Sequence, residues 1–283
     1  MDFQIPHTIN ILDALKKYVY PDSSRRTLKQ WVSGGRFSVN GQKITKENLV
    51  LEEGQTLSTV DSFRPQKISA LKIIYEDRYL IAIDKPVGLL SVPLDEELTQ
   101  KRHALGLLRW HYKTDQIFAV HRIDRETSGV LLFARGKQAE DKLKKIFEKH
   151  DLTRQYFAIV EGRLAEQKGS WHSLLLELPN LSVVESSEGK DAITHFEVLR
   201  RSAKYSYLRL TLETGRKHQI RVHCQAAGHP VVGDSRYGST ESPMGRMCLH
   251  AHLLTLVHPF TGKPLSFSSP LPPVFQVLGV PKE

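Results

Sequence analysis

A polar run between two apolar runs carries the clearest chemical signal in the sequence. It reads His-Arg-Ile-Asp-Arg-Glu-Thr-Ser-Gly over residues 121–129, with apolar residues at 117–120 and 130–133. Short apolar runs of this kind are typical of buried strands, which would hold the polar run rigidly. Two arginines lie beside Asp124, and positive charge nearby favours the ionised carboxylate that a nucleophile or a general base needs. A salt-bridged surface loop is the alternative interpretation of the same residues.

The histidines do not form a recognisable metal-binding pattern. His218 and His223 are close in sequence, as are His250 and His252, but no Asp or Glu completes a ligand set around either pair. We therefore expect no metal site.

Composition and charge indicate a folded protein with an anionic partner. The 283 residues are 40% hydrophobic and 25% charged, which is ordinary for a globular protein. This length suits one large domain plus a small one. The formal net charge of +9 favours association with a polyanion, so nucleic acid is the first partner to consider.

Cysteine usage and the N-terminus indicate a cytoplasmic protein. The two cysteines, Cys224 and Cys248, form no CxxC pattern, so neither a disulfide framework nor a structural zinc site is expected. The N-terminal residues MDFQIPHTIN do not resemble a signal peptide, and no apolar stretch approaches the length of a membrane span.

The first 60 residues predict a small separate module. Apolar residues recur at helical spacing over residues 9–20, and a second helix is expected between Ser24 and Gly34. Asn40-Gly41 between short alternating runs predicts a tight hairpin over residues 37–44. A further strand is expected over residues 56–60.

Polar, Pro-containing residues at 61–70 are typical of a linker. We therefore expect a module over residues 9–60 and a second domain over residues 71–283. One side of the module is basic, for which phosphate contact is one interpretation and a solvated charged face the alternative. The basic side chains are those of Arg25, Arg26, Lys29 and Arg36.

The rest of the chain predicts an α+β domain with a mainly antiparallel sheet. Strand-like and helix-like segments alternate without the regular rhythm of a parallel sheet. Strands are expected over residues 80–84, 117–121, 130–134, 155–160, 171–178, 193–199 and 205–213. Helices are expected over residues 99–112, 137–149, 216–227 and 273–278.

Residues 121–129 and four other segments resemble one enzyme family. HRIDRETSG is similar to the H-R-L-D-x-x-T-S-G signature of the RluA-type RNA pseudouridine synthases, with Ile123 in place of the usual leucine. The other segments resemble the family in the same order along essentially the whole chain, which implies the pseudouridine synthase fold. They are IIYEDRYLIAIDKPVGLLSVP, RQYFAIVEG, LETGRKHQIRVHCQAAGHPVVGDSRYG and LHAHLLTLVHPFTGKPLSFSSPLP.

The N-terminal residues resemble a second family. SRRTLKQWVSGGRFSVNGQKI, followed by LEEGQTL, is similar to the small α/β RNA-binding module named after ribosomal protein S-four. Phe37 stands where that module usually has a small aliphatic residue. The resemblance implies that the basic side of the module contacts RNA.

The resemblance to the synthases implies roles for individual residues. Asp124 would be the catalytic aspartate, Tyr156 the tyrosine that packs on the target base, and Arg221 the partner of the aspartate. Alternation along a strand would place Tyr156 on the same face as Ala158 and Val160. Its hydroxyl could also take the proton from carbon 5 of uracil, although with a normal phenol pKa it would be a weak base that needs a shifted pKa or a water. Core packing with a satisfied hydroxyl is the alternative interpretation of Tyr156.

Further residues would contact RNA on the same basis. His121 and Arg122 match positions that contact the displaced nucleotide and a neighbouring phosphate, and a purely structural His121 is the alternative. Lys217 and His218 precede Arg221 at the start of a predicted helix, where His218, Arg221 and Gln225 would form a polar stripe.

The implied reaction is the isomerisation of uridine to pseudouridine in structured RNA, with no cofactor. Asp124 would either attack carbon 1′ of the ribose or assist removal of a ribose proton. We expect a monomer acting on large-subunit ribosomal RNA, with transfer RNA as the alternative substrate. Two rival functions are those of a catalytically silent RNA-binding or ribosome-assembly protein and of a basic hydrolase.

Overall fold

The chain forms two compact units, Met1–Ile68 and Ser69–Glu283. The computed structural model describes residues 2–20, 25–33, 37–59, 71–93, 103–243, 245–273 and 275. The predicted linker over residues 61–70 therefore lies outside the described residues.

The first unit combines short helices with small antiparallel sheets. Its elements are β1 (Asp2–Gln4), β2 (Ile9–Asn10), α1 (Ile11–Ala14), α2 (Arg25–Ser33), β3 (Phe37–Val39), β4 (Gln42–Ile44), β5 (Val50–Leu51) and β6 (Thr56–Thr59). One sheet has the order β1-β6-β3-β4, and β2 pairs with β5. Apolar side chains from both helices and from the sheets pack into one core.

The first helix begins later than the sequence predicts. Ile9 and Asn10 form β2, and the Asn10 side chain then accepts a hydrogen bond from the Leu12 amide at 2.9 Å, which starts α1. Leu15–Val19 continues α1 as a π-helical turn. The second helix is confirmed, and so is the Asn40-Gly41 hairpin, where both residues have positive φ.

The described residues of the second unit form the remaining strands and three α-helices. The strands are β7 (Lys72–Glu76), β8 (Leu80–Lys85), β9 (Ile117–Ala119), β10 (Ser128–Arg135), β11 (Leu152–Glu161), β12 (Lys168–Glu177), β13 (Val183–Glu185), β14 (Lys190–Arg201), β15 (Tyr205–Leu212), β16 (Leu249–Val257) and β17 (Pro264–Ser268). The helices are α3 (Ala104–Tyr112), α4 (Lys137–Lys149) and α5 (Gln219–Ala226). A 3-10 turn spans Ser235–Tyr237.

An 11-stranded sheet organises the second unit. Its main path is β13-β12-β14-β15-β11-β16-β10-β8-β7, while β9 adds to β10 and β17 adds to β16. Among the described strands, only β10 and β16 pair in parallel, over two residues of each strand. The prediction of a mainly antiparallel α+β domain is therefore confirmed. No helix within the described ranges is long and apolar enough to span a bilayer.

Gly129 permits the parallel contact at the centre of the sheet. It pairs with Ala251 and has φ +116°, a conformation that glycine adopts readily and other residues rarely do. A Cβ at this position would lie 2.1 Å from the Ala251 carbonyl oxygen. The last residue of the 121–129 run is therefore a glycine because two backbones meet there.

Side chains of β11 alternate between two cores, as the sequence predicts. Tyr156, Ala158 and Val160 belong to one buried cluster, and Phe157 and Ile159 belong to another. The β11–β16 register shifts between Gln155 and Tyr156. Such irregularities often redirect a side chain next to a functional site.

Two predicted helices differ from those observed. The helix expected over residues 216–227 begins at Gln219, because His218 has a left-handed backbone with φ 53° that cannot continue a helix. The helix expected over residues 99–112 is described from Ala104, where the His103 side chain accepts from the Gly106 amide. Most of the helix expected over residues 273–278 lies outside the described residues.

His250 is a neutral histidine in the core. Its side chain is 1% exposed, and its ring nitrogens contact the Ser128 hydroxyl at 2.9 Å and the Ser269 carbonyl at 3.2 Å. Burial lowers the pKa of His250 from 6.5 to about 4. The unfolded chain therefore binds a proton at this residue between about pH 6.5 and 4 while the folded chain does not.

We expect His250→Gln to reduce the acid sensitivity of the fold. As the pH falls from 6.5 to about 4, the folded state of the wild type should lose up to about 1.4 kcal/mol per pH unit relative to the variant. Urea unfolding at a series of pH values measures the difference. Parallel stability curves for the two proteins would show that His250 is charged in the folded state.

Candidate active site

Asp124 lies in the loop between β9 and β10. A turn closed by a 3.1 Å hydrogen bond from the Thr127 amide to the Asp124 carbonyl shapes this loop. The Asp124 side chain is 18% exposed, so its carboxylate is accessible yet largely enclosed.

The loop that follows β8 clamps the Asp124 loop through its backbone. The Ser91 hydroxyl donates to the Ile123 carbonyl at 2.7 Å and accepts from the Ile123 amide at 3.2 Å. The Gly88 amide donates to the Arg125 carbonyl at 2.7 Å. Both neighbours of Asp124 are thus held in place.

Lys85, at the end of β8, is buried and hydrogen-bonds both the loop that follows β8 and the Asp124 loop. Its buried ammonium donates to the Leu89, Pro86 and Arg125 carbonyls at 2.7, 3.1 and 3.3 Å. Burial lowers the pKa of Lys85 to about 7, although the nearby negative charges of Asp124 and Glu126 oppose the shift.

Arg221, on α5, joins Asp124 to a second carboxylate. Its Nη1 donates to Asp124 Oδ2 at 3.0 Å, while its Nε and Nη2 donate to the two oxygens of Asp234 at 2.6 and 2.8 Å. The side chains of Arg221 and Asp234 are 6% and 2% exposed. The bidentate contact with Asp234 fixes both the position and the plane of the guanidinium.

The charge of Arg221 is stabilised by these partners. Burial alone would lower its pKa, but hydrogen bonds and charges from Asp234 and Asp124 outweigh burial and raise it. The guanidinium also lies over the Tyr237 ring, 4.8 Å from its centroid. Arg221 is therefore a permanent cation beside the Asp124 carboxylate.

His218 faces the other oxygen of Asp124. Its Nε2 lies 3.8 Å from Asp124 Oδ1, and its Nδ1 lies 2.7 Å from the Tyr237 hydroxyl. Burial lowers the pKa of His218 to about 4, so the ring is neutral at pH 7. The Tyr237 oxygen accepts from the Val183 amide at 3.0 Å and can donate its proton to Nδ1. That arrangement puts the ring proton on Nε2, which at 3.8 Å is too far from Asp124 Oδ1 for a hydrogen bond.

Gln219 fixes the loop that carries His218. Its amide oxygen accepts from the Thr214 hydroxyl at 2.8 Å and from the Arg216 amide at 2.9 Å. Its amide nitrogen donates to the Ile193 carbonyl at 2.9 Å and to Thr194 Oγ1 at 3.0 Å. This buried side chain connects the loop to β14.

Tyr156 lines the same cavity as Asp124 and Arg221. Burial raises its pKa to about 12, while the charge of Arg154 opposes the rise and the charge of Asp124 adds to it. The hydroxyl is therefore protonated at neutral pH. The pKa is shifted away from the range that a phenolate base would need, so the ring is suited to stacking and to hydrogen-bond donation.

The three side chains that the sequence singles out for catalysis, Asp124, Tyr156 and Arg221, thus surround one cavity of about 260 Å³. This volume is close to the lower limit of about 300 Å³ for small-molecule sites, so the cavity can take a group the size of a base. Arg122, Arg216 and Lys217 add positive charge to its lining. The cavity is suited to a planar group attached to an anionic chain.

Some of the predicted RNA-contact residues line this cavity and others do not. Arg122 is exposed and lines it, and Lys217 lines it while forming an ion pair with Glu177. His121 Nε2 accepts from the Leu132 amide at 2.9 Å, and its ring stacks on Phe147. These contacts support the structural alternative for His121. Gln225, expected in the polar stripe, is exposed and outside the cavity lining.

The basic residues of the first unit carry surface ion pairs. Arg25 contacts Asp13 at 2.8 Å, and Lys29 contacts Glu47 at 3.7 Å. Both cationic side chains are more than half exposed, so their charges are available to a ligand. The side chain of Arg26 and the whole of Arg36 lie outside the described residues.

Sequence reasoning missed the residues that support the site. Asp234 lies in the GDSRYG segment after Val231 and Val232, and an acidic residue that follows a buried apolar pair is the signal that was available. Lys85 and Ser91 act through backbone contacts that side-chain patterns do not reveal. Within the described part of the chain, no cluster of three or more His, Cys, Asp or Glu side chains is arranged to hold a metal ion.

Two family models match separate parts of the chain. The model described as RNA pseudouridylate synthase matches residues 79–226. The S4 domain model matches residues 15–57. The first match includes Asp124, Tyr156 and Arg221, and the second includes Arg25 and Lys29.

Named relatives resemble nearly the whole chain. The uncharacterized RNA pseudouridine synthase YhcT of Bacillus subtilis is 34% identical over 265 residues, which cover 88% of this chain and 86% of that protein. The ribosomal large subunit pseudouridine synthase D of Vibrio cholerae is 33% identical over 289 residues, covering 92% and 87%.

A solved structure agrees with the observed fold. Human RNA pseudouridylate synthase domain containing 1 superimposes with a TM-score of 0.61 at 26% identity, covering 75% of this chain and 87% of that one.

We expect Asp234→Asn to destabilise the second unit by about 3 kcal/mol, because it removes the charge that balances buried Arg221. Urea unfolding measures the change. Asp191→Asn is the matched control, since Asp191 pairs with His172 at 3.1 Å on the surface and should contribute less than about 1 kcal/mol. Equal losses in the two variants would contradict the importance of the buried pair.

Proposed function

Because the chain belongs to the RNA pseudouridylate synthase family, we propose that it isomerises uridine to pseudouridine in structured RNA with Asp124 as the catalytic carboxylate. The observation that carries this proposal is the contact of Asp124 with Arg221 at 3.0 Å in a cavity also lined by Tyr156. A carboxylate, a fixed cation and an aromatic ring are the groups that this reaction needs.

The reaction breaks the bond between N1 of uracil and C1′ of ribose and forms a bond between C5 and C1′. The proton on C5 leaves and N1 gains one, so the product has the mass of the substrate. Asp124 either attacks C1′ or assists removal of a ribose proton, and both routes require the carboxylate to be unprotonated and close to the sugar.

Arg221 and His218 prepare the carboxylate for either route. Arg221 binds one oxygen and stabilises the ionised form, and Asp234 on its far side prevents it from turning towards RNA phosphates. The neutral ring of His218 faces the other oxygen without competing for its negative charge. That oxygen is the one we assign to the reaction.

Tyr156 provides a surface for the target base. A protonated phenol ring at the cavity wall can stack on uracil and hold it while it is detached from the ribose. Because its raised pKa keeps Tyr156 protonated at neutral pH, we assign removal of the C5 proton to water or to Asp124.

Arg122 assists in exposing the target uridine. A uridine within folded RNA must leave its stack before its glycosidic bond can be reached, at a cost of a few kcal/mol. Arg122 is exposed at the edge of the cavity and can occupy the space that the flipped nucleotide leaves.

Large-subunit ribosomal RNA is the substrate that we favour, with transfer RNA as the alternative. Vibrio cholerae synthase D is named for the large ribosomal subunit and aligns with 92% of this chain. The module over residues 9–60 would add phosphate contacts that position the RNA, while the cavity in the 71–283 domain selects the uridine. We propose that the protein works as a monomer in the cytoplasm.

Two rival functions make different chemical predictions. A hydrolase would release free uracil, whereas a synthase gives a product of unchanged mass. A catalytically silent RNA-binding protein would leave every uridine unchanged, and the Asp124, Tyr156 and Arg221 arrangement argues against it.

We expect Asp124→Asn to abolish isomerisation while the fold and RNA binding persist. The amide has nearly the shape of the carboxylate but lacks its charge and nucleophilicity. Chromatographic analysis of nucleosides from large-subunit ribosomal RNA, incubated with either protein, measures pseudouridine directly. Asp191→Asn, on the surface, should be as active as the wild type. Turnover near the wild-type rate in a purified Asp124→Asn protein would remove Asp124 from the mechanism.

We expect Arg25→Gln combined with Lys29→Gln to weaken RNA binding mainly at low salt. Removing two phosphate contacts should reduce the slope of log affinity against log salt concentration by about two. Filter binding of ribosomal RNA at several salt concentrations gives the slope. Lys113→Gln combined with Lys263→Gln removes the same charge from the second unit and should change the slope less. Identical slopes for wild type and the first double variant would assign another role to this face.

A further inference from the structure

A second cavity adjoins the site and is not used by the proposed mechanism. It has a volume of about 580 Å³ and shares Arg122, Tyr156 and Arg216 with the lining of the first. The shared side chains form the boundary between the two spaces. A chain whose base occupies the first cavity would therefore continue into the second.

Arg154 contributes an unbalanced positive charge to this second cavity. No carboxylate pairs with it among the described residues, and its Nε is buried without an acceptor. Its Nη2 makes only long contacts, 3.5 Å to His150 Nδ1 and 3.4 Å to the Glu213 carbonyl. Contacts of this length are weak.

The position of Arg154 is nevertheless fixed. Its guanidinium packs closely on Gly215, where a Cβ would lie 2.2 Å from Nη1. Burial lowers the pKa of Arg154, the charge of an ionised Tyr156 would oppose this shift, and the nearby charge of Arg216 adds to it. Two neighbouring arginines without a carboxylate repel each other, and an anion between them would remove that repulsion.

The cavity also has an aromatic wall. Phe147 stacks on His121 with ring centroids 4.6 Å apart and planes inclined by 18°. Phe147 is half-buried, so part of its ring remains accessible. An aromatic ring beside unpaired arginines is the combination that binds unstacked nucleotides.

The acidic residues near the cavity do not neutralise Arg154. Glu148 is exposed in the part lined by α4, and Lys144 on the same helix pairs with Glu140 at 2.6 Å. The negative charge therefore lies at the α4 side, and the unpaired cations lie beside Tyr156 and the first cavity.

We propose that the second cavity is a subsite for the nucleotide next to the target uridine, with Arg154 binding the phosphodiester that joins the two. This proposal rests on the proposed function, since it needs a uridine in the first cavity. Arg154 would be a positioning residue: it holds the backbone so that C1′ stays near Asp124.

A chemical double-mutant cycle tests the contact. The substrate is a short synthetic RNA that contains a uridine shown to be isomerised by the wild type, made with native phosphates or with one uncharged methylphosphonate on either side of that uridine. The proteins are the wild type, Arg154→Gln, the charge-preserving Arg154→Lys, and Arg163→Gln. Arg163 is an exposed arginine that lines neither cavity, so its variant is the matched control.

We expect Arg154→Gln to reduce kcat/KM by roughly tenfold to a hundredfold, the effect of one hydrogen bond between charged groups. Arg154→Lys should recover part of the loss, and Arg163→Gln should leave the rate unchanged. One of the two methylphosphonates should slow the wild type by a similar factor and have little further effect on Arg154→Gln.

Two results would overturn the subsite while leaving the proposed function intact. The first result is that each methylphosphonate slows Arg154→Gln by the same factor as it slows the wild type. Arg154 would then act somewhere other than at these phosphates. A normal rate for Arg154→Gln would show that it has no role. If Arg154→Gln does not fold, the same cycle with Arg154→Lys decides the question. Failure of the wild type to form pseudouridine in both ribosomal RNA and transfer RNA would instead refute the proposed function.

Discussion

Arg221 stands between two carboxylates, and the rest of the site depends on how that buried cation is balanced. Asp234 binds two of its nitrogens and is almost fully enclosed, so it acts as the structural counterion. Asp124 binds the third nitrogen and is partly open to the cavity. Two acids around one base leave net negative charge, and Asp124 is the carboxylate of the two that is open to the cavity. Because Asp234 holds Arg221 in place, Arg221 can stabilise the charge of Asp124 without turning towards RNA phosphates.

Backbone contacts supply the rigidity that this arrangement needs. Asp124 and Arg221 are 97 residues apart along the chain, and each belongs to a loop or helix end held by buried polar side chains. Ser91 and Lys85 hold the Asp124 loop, and Gln219 holds the loop before α5. Gly129 lets β10 approach β16, which brings the Asp124 loop to the centre of the sheet. A displacement of about 1 Å can cost a hundredfold in rate, so we expect these supports to matter for the proposed reaction.

Local patterns predicted the parts of the molecule that local physics determines. Alternation on β11 assigned Tyr156 to the correct face, and Asn40-Gly41 predicted the hairpin. The meeting of Asp124 with Arg221 came from family resemblance, because no local pattern connects residues so far apart. Asp234 and Lys85 were missed since their partners are set by tertiary packing. The prediction that α5 starts at residue 216 was wrong because His218 adopts a left-handed conformation, which is rare outside glycine.

The proposed reaction requires one pocket to bring the ribose of a flipped uridine to Asp124 beneath the ring of Tyr156. A structure of Asp124→Asn bound to its substrate RNA tests this claim most directly. We expect the uracil ring stacked on Tyr156, C1′ within about 3.5 Å of the residue 124 side chain, and Arg221 still paired with Asp234. A uridine bound elsewhere, or Arg221 turned away from Asp234 to a phosphate, would contradict it.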